Sequence, residues 1–129
     1  MNATERNNSL PRAKRLEAAL YPAVFDRKAS FAGRYMVLCA GPASGLPHAQ
    51  LGVAVSRRTL GAAVDRNRAR RLLREAFRTR QHHLLPGARM ILVARKRLAE
   101  DGCLATVSRD FRALCERAGI WVQAGAPTS

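Results

Sequence analysis

Short apolar runs alternate with stretches of helical spacing along the chain, and the runs predict three β-strands. These lie at 34–40 (RYMVLCA), 50–56 (QLGVAVS) and 88–95 (ARMILVAR). The segment 41–49 (GPASGLPHA) contains two glycines and two prolines, so it is interpreted as the loop between the first two strands. The third run is almost entirely apolar, which is typical of a buried strand.

Three other segments have the spacing of helices. Residues 16–25 (LEAALYPAVF) predict a short helix that Pro22 perturbs. A second helix is predicted from about 64 to 84, ended by Pro86 and Gly87. A third has a clean apolar stripe, for which Thr106 or Ser108 is the candidate cap. The stripe consists of Val107, Phe111, Leu114, Cys115 and Ala118. Together the segments predict an α+β fold, with a small mixed sheet covered by helices.

The second of these helices divides into two faces. Its sequence from 64 to 80, VDRNRARRLLREAFRTR, contains seven arginines. At 100° per residue, one half is apolar and consists of Ala69, Leu72, Leu73, Ala76 and Phe77. The opposite half is basic and consists of Arg68, Arg70, Arg71, Arg74 and Arg78, with Asn67 among them. Glu75 is the only acid between Arg66 and Arg80, whereas a merely solvated face usually mixes charges. We interpret this face as a contact for nucleic acid.

The overall composition agrees with a polyanionic partner. The chain has 129 residues, a formal net charge of +14 and a sequence pI of about 11.5. Arginine accounts for 20 of its 23 basic residues, but a GC-rich genome explains that ratio equally well. We expect a flexible basic segment at 1–15, a single domain that binds nucleic acid at 16–120 and a flexible tail at 121–129.

Cysteine usage and the terminal segments favour a cytoplasmic protein. Cys39, Cys103 and Cys115 are odd in number and widely spaced, which argues against a disulfide framework or a zinc site. Cys39 and Cys115 are expected to be small buried hydrophobes. The first 15 residues lack the apolar region of a signal peptide, and no apolar run is long enough to span a membrane.

The polypeptide lacks the usual signatures of a nuclease active site. Its nine acidic residues are scattered and form no set suited to holding two metal ions. His82 and His83 are adjacent, and on a helix they would diverge by about 100°, so we interpret them as polar residues at a helix end. No phosphate-binding loop or nucleophile elbow is present.

The stretch VSRRTLGAAVDRNRARRLLREAFR resembles the signature of the bacterial ribonuclease P protein component. The similarity covers roughly residues 12–118. In that signature, a strand ends in a basic pair and is followed by a Gly-x-Ala-Val loop. Then come Arg-Asn-Arg, a second basic pair and Arg-Glu. The matching residues are Arg57, Arg58, Gly61, Ala63, Val64, Arg66, Asn67, Arg68, Arg70, Arg71, Arg74 and Glu75.

This resemblance implies a protein subunit that binds a large catalytic RNA and the 5′ leader of precursor tRNA. The RNA, with Mg²⁺, would carry the endonucleolytic removal of the leader, and no obligate protein partner is implied. The implied RNA-binding residues are Arg66, Asn67, Arg68, Arg70, Arg71 and Arg74, together with Arg57 and Arg58. Tyr21 and Phe25 would contact the leader by stacking on its bases. The resemblance also implies an unusual left-handed β-α-β crossover, like that of a ribosomal protein domain.

Other classes share the charge pattern. A ribosomal-type RNA-binding protein follows the same charge logic, and only the Arg-Asn-Arg string separates it from the resemblance above. A helix-turn-helix DNA-binding protein needs a helix shortly before Val64, where the sequence predicts strand and loop. A membrane-active basic helix would need bulkier anchors than Leu72, Leu73 and Phe77.

Overall fold

Four strands form one mixed sheet in the computed structural model, which describes residues 10–27 and 29–122. The sheet order is β1-β2-β4-β3. Strands β3 and β4 pair in parallel, and the other two pairs are antiparallel. The strands are β1 (Ala29–Ala32), β2 (Met36–Ala40), β3 (Gln50–Ala54) and β4 (Arg89–Ala94).

Four α-helices accompany the sheet in the described residues, so the predicted α+β class is confirmed. They are α1 (Tyr21–Asp26), α2 (Ala63–Arg80), α3 (Lys96–Asp101) and α4 (Leu104–Arg117). Short 3-10 turns occur at Arg12–Lys14, Ala18–Leu20 and Gln81–His83.

The two faces of the sheet have different covers. Side chains alternate along each strand, so Leu38 and Leu92 point to one face and Cys39 and Ile91 to the other. The first face packs on α2 and α4 and forms the larger core. The second face carries a smaller cluster under α1. One side of the sheet is therefore closed by two long helices, whereas the short α1 covers the other.

The three predicted strands are confirmed, with shorter bounds. Strand β2 begins two residues later than predicted because the Asp110 carboxylate accepts hydrogen bonds from the backbone of Arg34 and Tyr35, at 3.2 and 2.8 Å. Strand β3 ends at Ala54, and Ser56 then turns the chain by accepting the Thr59 N–H at 3.1 Å. The edge strand β1 was not predicted, since its sequence, ASFA, contains only one strong strand former.

The helix predicted at 16–25 is wrong at its beginning. The Leu16 N–H bonds the Leu51 carbonyl at 2.9 Å, which ties this residue to the sheet instead of to a helical turn. The α-helical part begins at Tyr21, and Pro22 stands in its first turn, where no N–H is needed. Helix α3 was also missed, because its six residues are too short for a periodic signal.

The other two helices agree with the pattern. Helix α2 spans 63–80 and continues as the 3-10 turn that ends at His83, close to the predicted limit of 84. Helix α4 buries four of the five predicted stripe residues, including Cys115, whereas Ala118 is half-buried at the C-cap. Cys39 is buried in β2. The predicted cap is confirmed only in part, because Thr106 takes part in capping but is not the N-cap residue. Cys103 is the N-cap, and the Thr106 hydroxyl accepts its N–H at 3.2 Å from inside the first turn.

Part of the predicted flexible termini is packed. Leu10 is only 3% exposed and belongs to the larger core, and Arg15 forms a β-bridge with Leu51. Trp121 forms a β-bridge with Leu84. Residues 1–9 and 123–129, the remainder of those predicted segments, lie outside the described residues, as does residue 28.

Candidate nucleic-acid interface

Helix α2 presents the two faces that its sequence predicts. Ala69, Leu73, Ala76 and Phe77 are buried against the sheet and α4, and Phe77 packs edge-on to Phe111 at 6.5 Å. Asn67, Arg68, Arg71 and Arg78 are exposed on the opposite side. Burial of the apolar half fixes the rotation of the helix, so the arginine side chains must project into solvent.

The only acid within this basic stretch is already paired. Arg78 donates two hydrogen bonds to Glu75, at 2.9 and 2.5 Å. This pair lowers the pKa of Glu75 and raises the pKa of Arg78 from their ordinary values. The positive charge of Arg78 is thus locally balanced, and that of its neighbours on the same face is not.

Arg74 lies in a crowded basic environment. Burial lowers the pKa of Arg74 from its ordinary value, and the positive charges of Arg70 and Arg15 lower it further. Arg70 also donates to the Asn67 side chain at 3.1 Å. A phosphate in this position would relieve the mutual repulsion of these three guanidinium groups.

Two predicted RNA-binding arginines have contacts within the chain. Arg66 donates to the carbonyl oxygens of Leu60 and Gly61, at 3.0 and 2.7 Å, and so holds the loop that precedes α2. Arg68 donates to the Gly102 carbonyl at 2.7 Å and so links α2 to the junction of α3 and α4. Each side chain therefore has a structural contact beside any role toward a ligand.

Three further residues that the sequence predicts to bind RNA are exposed to solvent. Arg57 and Arg58 are exposed in the turn after β3. Arg71 is exposed at the middle of α2, where it makes no hydrogen bond or ion pair with the described residues. The basic face consequently extends from the turn after β3 along the solvent side of α2.

The predicted aromatic pair lies on the other face of the sheet. Tyr21 and Phe25 are edge-on at 6.3 Å between ring centroids. The Tyr21 ring lies against Gly52, where a Cβ atom would come within 2.6 Å of it, and its hydroxyl accepts the Val53 N–H at 3.1 Å. Phe25 is 42% exposed. Tyr21 is therefore anchored to the edge strand β3, and Phe25 offers the freer ring.

An apolar floor adjoins this pair. The strand register aligns Val37 with Val93 across β2 and β4, and Val93 with Ala54 across β4 and β3. All three side chains are half-buried on the α1 side of the sheet. The neighbouring row, which includes Cys39 and Ile91, is buried under α1. The row of Val37, Val93 and Ala54 and the two α1 aromatic rings together form a partly exposed apolar surface, which is called the cleft below.

The electrostatic surroundings of Arg74 include one residue that the sequence analysis did not single out. Arg15 and Tyr21 both lie within electrostatic reach of Arg74. Arg15 lies outside the stretch from Val55 to Arg78 that resembles the family signature, and it is on no face with helical spacing. No pattern in the sequence therefore identifies it. The β-bridge to Leu51 holds Arg15 in the position from which its charge acts on Arg74.

The described residues do not fit a protein-held metal site. No three His, Cys, Asp or Glu side chains among them are grouped closely enough to hold an ion. In the same part of the chain, no helix is long and apolar enough to cross a membrane.

Comparisons with known proteins agree on one family. A family model described as Ribonuclease P matches residues 10–119. The ribonuclease P protein component of Staphylococcus carnosus is 35% identical over 91 residues, which cover 70% of this chain and 76% of that protein. That of Pseudomonas putida is 38% identical over 80 residues, which cover 62% of this chain and only 59% of that protein.

The fold comparison gives the same result. The solved structure of the Staphylococcus aureus RNase P protein matches with a TM-score of 0.73 at 25% identity, and the match covers 85% of this chain and 99% of that one. These similarities place the chain among the protein components of ribonucleoproteins. Within that class it belongs to the bacterial ribonuclease P protein family. Ribonuclease P is an endoribonuclease of tRNA 5′ maturation, and membership implies its RNA as the partner.

Proposed function

We propose that the chain binds the catalytic RNA of ribonuclease P through the solvent face of α2 and the turn after β3. The observation that carries this proposal is the basic face itself, in which Arg70, Arg71 and Arg74 have no acidic partner within the described residues. Arginine forks bind phosphate through paired hydrogen bonds, and a folded RNA supplies a dense array of phosphates. The RNA contacts are Arg57, Arg58, Arg66, Asn67, Arg68, Arg70, Arg71 and Arg74.

The cleft beside α1 is proposed to receive the 5′ leader of precursor tRNA. A single-stranded leader exposes base faces, and aromatic rings stack on them with little dependence on sequence. Phe25 supports this role through its exposure, and Tyr21 forms the adjoining wall. The proximity of Tyr21 and Arg74 lets one continuous RNA surface include the cleft and the basic face.

The phosphodiester hydrolysis is proposed to belong to the RNA subunit with its Mg²⁺. The donor set of the described residues does not fit a metal site, and magnesium prefers carboxylates or phosphates. The protein contributes positive charge, which relieves phosphate repulsion that magnesium otherwise screens. We further propose that the predicted domain at 16–120, extended to include Leu10 and Trp121, binds RNA as one unit. The β3-α2-β4 crossover is proposed to be left-handed.

Reconstitution tests this function directly. The protein freed of RNA is expected to cleave no precursor tRNA at any magnesium concentration. Added to the catalytic RNA, it should allow leader removal at lower magnesium than the RNA alone requires. A protein that trims precursor tRNA by itself, or one that leaves the magnesium requirement of the RNA unchanged, would contradict the proposal.

A further inference from the structure

A pocket of about 590 Å³ lies between the C-terminal end of α2 and helix α4, away from both surfaces described above. Arg80 and His82 line it from the α2 side, Ser108, Arg109 and Arg112 line it from α4, and Trp121 closes it. Neither α1 nor the sheet contributes a lining residue. The function proposed above assigns no role to this pocket.

The pocket is strongly cationic. It is lined by three arginines and no acidic residue. Glu116 lies nearby and accepts a hydrogen bond of 3.4 Å from Arg112. The other two arginines have no carboxylate partner in the described residues. Guanidinium groups around one depression repel each other unless an anion binds between them, and here only Arg112 has a carboxylate partner.

Two buried polar groups in the lining are without a hydrogen-bond partner. The Ser108 hydroxyl is on a residue only 1% exposed, and neither it nor the Trp121 indole N–H has a partner in the described residues. Buried donors without partners are rare, because desolvating them costs free energy that nothing repays. Both groups can donate to an oxygen atom, so the lining combines hydrogen-bond donors with positive charge.

The Trp121 ring of this pocket is already stacked and is not available for stacking on a base. The Trp121 ring stacks on His83, with centroids 4.6 Å apart and planes within 9°. The Arg112 guanidinium lies 5.1 Å from the same ring. The remaining chemistry is that of an oxyanion site. We infer that this pocket binds a phosphate group of RNA, as an anchor separate from the basic face of α2.

The position of the pocket supports RNA as the source of the phosphate. Thr79, which lines the pocket, is 11 residues from Arg68, which places the two about 16 Å apart along the helix axis and on the same flank. An RNA strand that follows α2 can therefore reach both. This inference rests on the proposed RNA-binding function, which supplies the ligand.

The first experiment uses inorganic phosphate and the single tryptophan of the chain. Its indole N–H gives one resonance, which should shift saturably as phosphate is added to the whole protein at constant ionic strength. Arg109→Gln should raise the half-saturating concentration about tenfold, because a charge-assisted hydrogen bond is lost. Arg117→Gln, on the same helix but outside the pocket, should leave it unchanged.

Ser108→Ala separates a binding role from a structural one. Removing an unpartnered buried hydroxyl should not lower the denaturation midpoint of the ligand-free protein, because no hydrogen bond is lost. The same change should weaken phosphate binding several-fold. A linear, unsaturable shift, or equal responses of the Arg109→Gln and Arg117→Gln proteins, overturns the inference. So does a Ser108→Ala protein with unchanged phosphate affinity.

The second experiment identifies the RNA. Affinities for the isolated catalytic RNA and, in the holoenzyme, for precursor tRNA are compared between Arg109→Gln and Arg117→Gln. We expect the Arg109→Gln variant alone to lose affinity about tenfold, for one of the two RNAs. That RNA is then the source of the phosphate that the pocket binds. Equal affinities of both variants for both RNAs overturn the inference. If α2 variants such as Arg71→Gln weaken catalytic-RNA binding in that case, the proposed function still stands.

Discussion

Arg74 and Arg78 lie one turn apart on α2 and carry the same charge in different surroundings. Arg78 is held by Glu75, and its pKa is raised. Arg74 is partly buried among Arg70 and Arg15, and its pKa is lowered, with burial as the first cause. An exposed ion pair contributes little to stability, so Glu75 chiefly reduces the charge available to a ligand.

Arg74→Ala is expected to weaken binding to the catalytic RNA by about 1.5–3 kcal/mol, because one charge-assisted contact to phosphate is lost. The slope of log affinity against log salt concentration should also decrease by about the contribution of one phosphate contact. The measurement is a titration of the RNA at several salt concentrations. Arg68→Ala is a poorer test, because Arg68 also holds the Gly102 carbonyl.

Glu75→Gln is the opposite change on the same face. It releases Arg78 and removes the only acid between Arg66 and Arg80, so RNA should bind more tightly, by about 0.5–1 kcal/mol. The protein itself should lose only about 0.2–0.5 kcal/mol of stability with the ion pair. Unchanged or weaker RNA binding by the folded variant would mean that phosphates do not approach this part of α2.

Phe25→Ala should reduce the preference for precursor over mature tRNA by about 1–3 kcal/mol if one leader base stacks on the ring. Affinity for the catalytic RNA should hardly change. Tyr21→Phe is the matched control, since it keeps the ring and removes only the hydroxyl bonded to Val53. That control should cost about 0.5–1.5 kcal/mol of stability and keep the preference. If the Phe25→Ala holoenzyme keeps the full preference for precursor over mature tRNA, the Phe25 ring has a packing role alone.

Helix α1 and strand β3 depend on each other at the edge of the sheet. Strand β3 is an edge strand, and its outward backbone groups would be open to other chains. The Tyr21 hydroxyl accepts the Val53 N–H, and the Leu16 N–H donates to the Leu51 carbonyl. Gly52 makes this possible, because only a residue without Cβ admits the Tyr21 ring.

Gly52→Ala should therefore destabilise the protein by about 1–3 kcal/mol, since its Cβ would lie 2.6 Å from the Tyr21 ring. Gly45→Ala is the control, because no atom lies within 4 Å of the new Cβ, and its effect should stay within about 0.5 kcal/mol. Chemical denaturation measures both. In a Tyr21→Ala background the cost of Gly52→Ala should largely disappear, and additive effects would contradict the contact.

The molecule as a whole carries a net charge of +14, which opposes its own compact state. Its free energy of unfolding should consequently rise between about 20 and 200 mM NaCl, as the Debye length falls from roughly 20 to 7 Å. Over the same range, RNA affinity should fall steeply, because phosphate contacts release counterions. Denaturation curves and RNA titrations measure the two trends. A stability that falls with added NaCl would show that attractive ion pairs outweigh the self-repulsion.

The sequence by itself determined the two faces of α2, three of the four strands and the stripe of α4. These depend on spacing along one element, and the helical angle of 100° assigns Leu73 and Arg71 to opposite sides whatever packs against them. The sequence also determined the family, because the ordered string from Val55 to Arg78 is a local pattern.

Only the tertiary structure decided which arginines have partners and where new sites arise. Arg66 and Arg68 donate to carbonyl groups of a loop and a helix junction, and the charge of Arg15 acts on Arg74 from another element. The pocket joins Arg80 to Ser108 and Trp121, which lie 28 and 41 positions further along the chain. Such contacts follow from the sheet order and from the packing of α2 on α4. Periodicity acts within one element, so it carries no information about which elements meet.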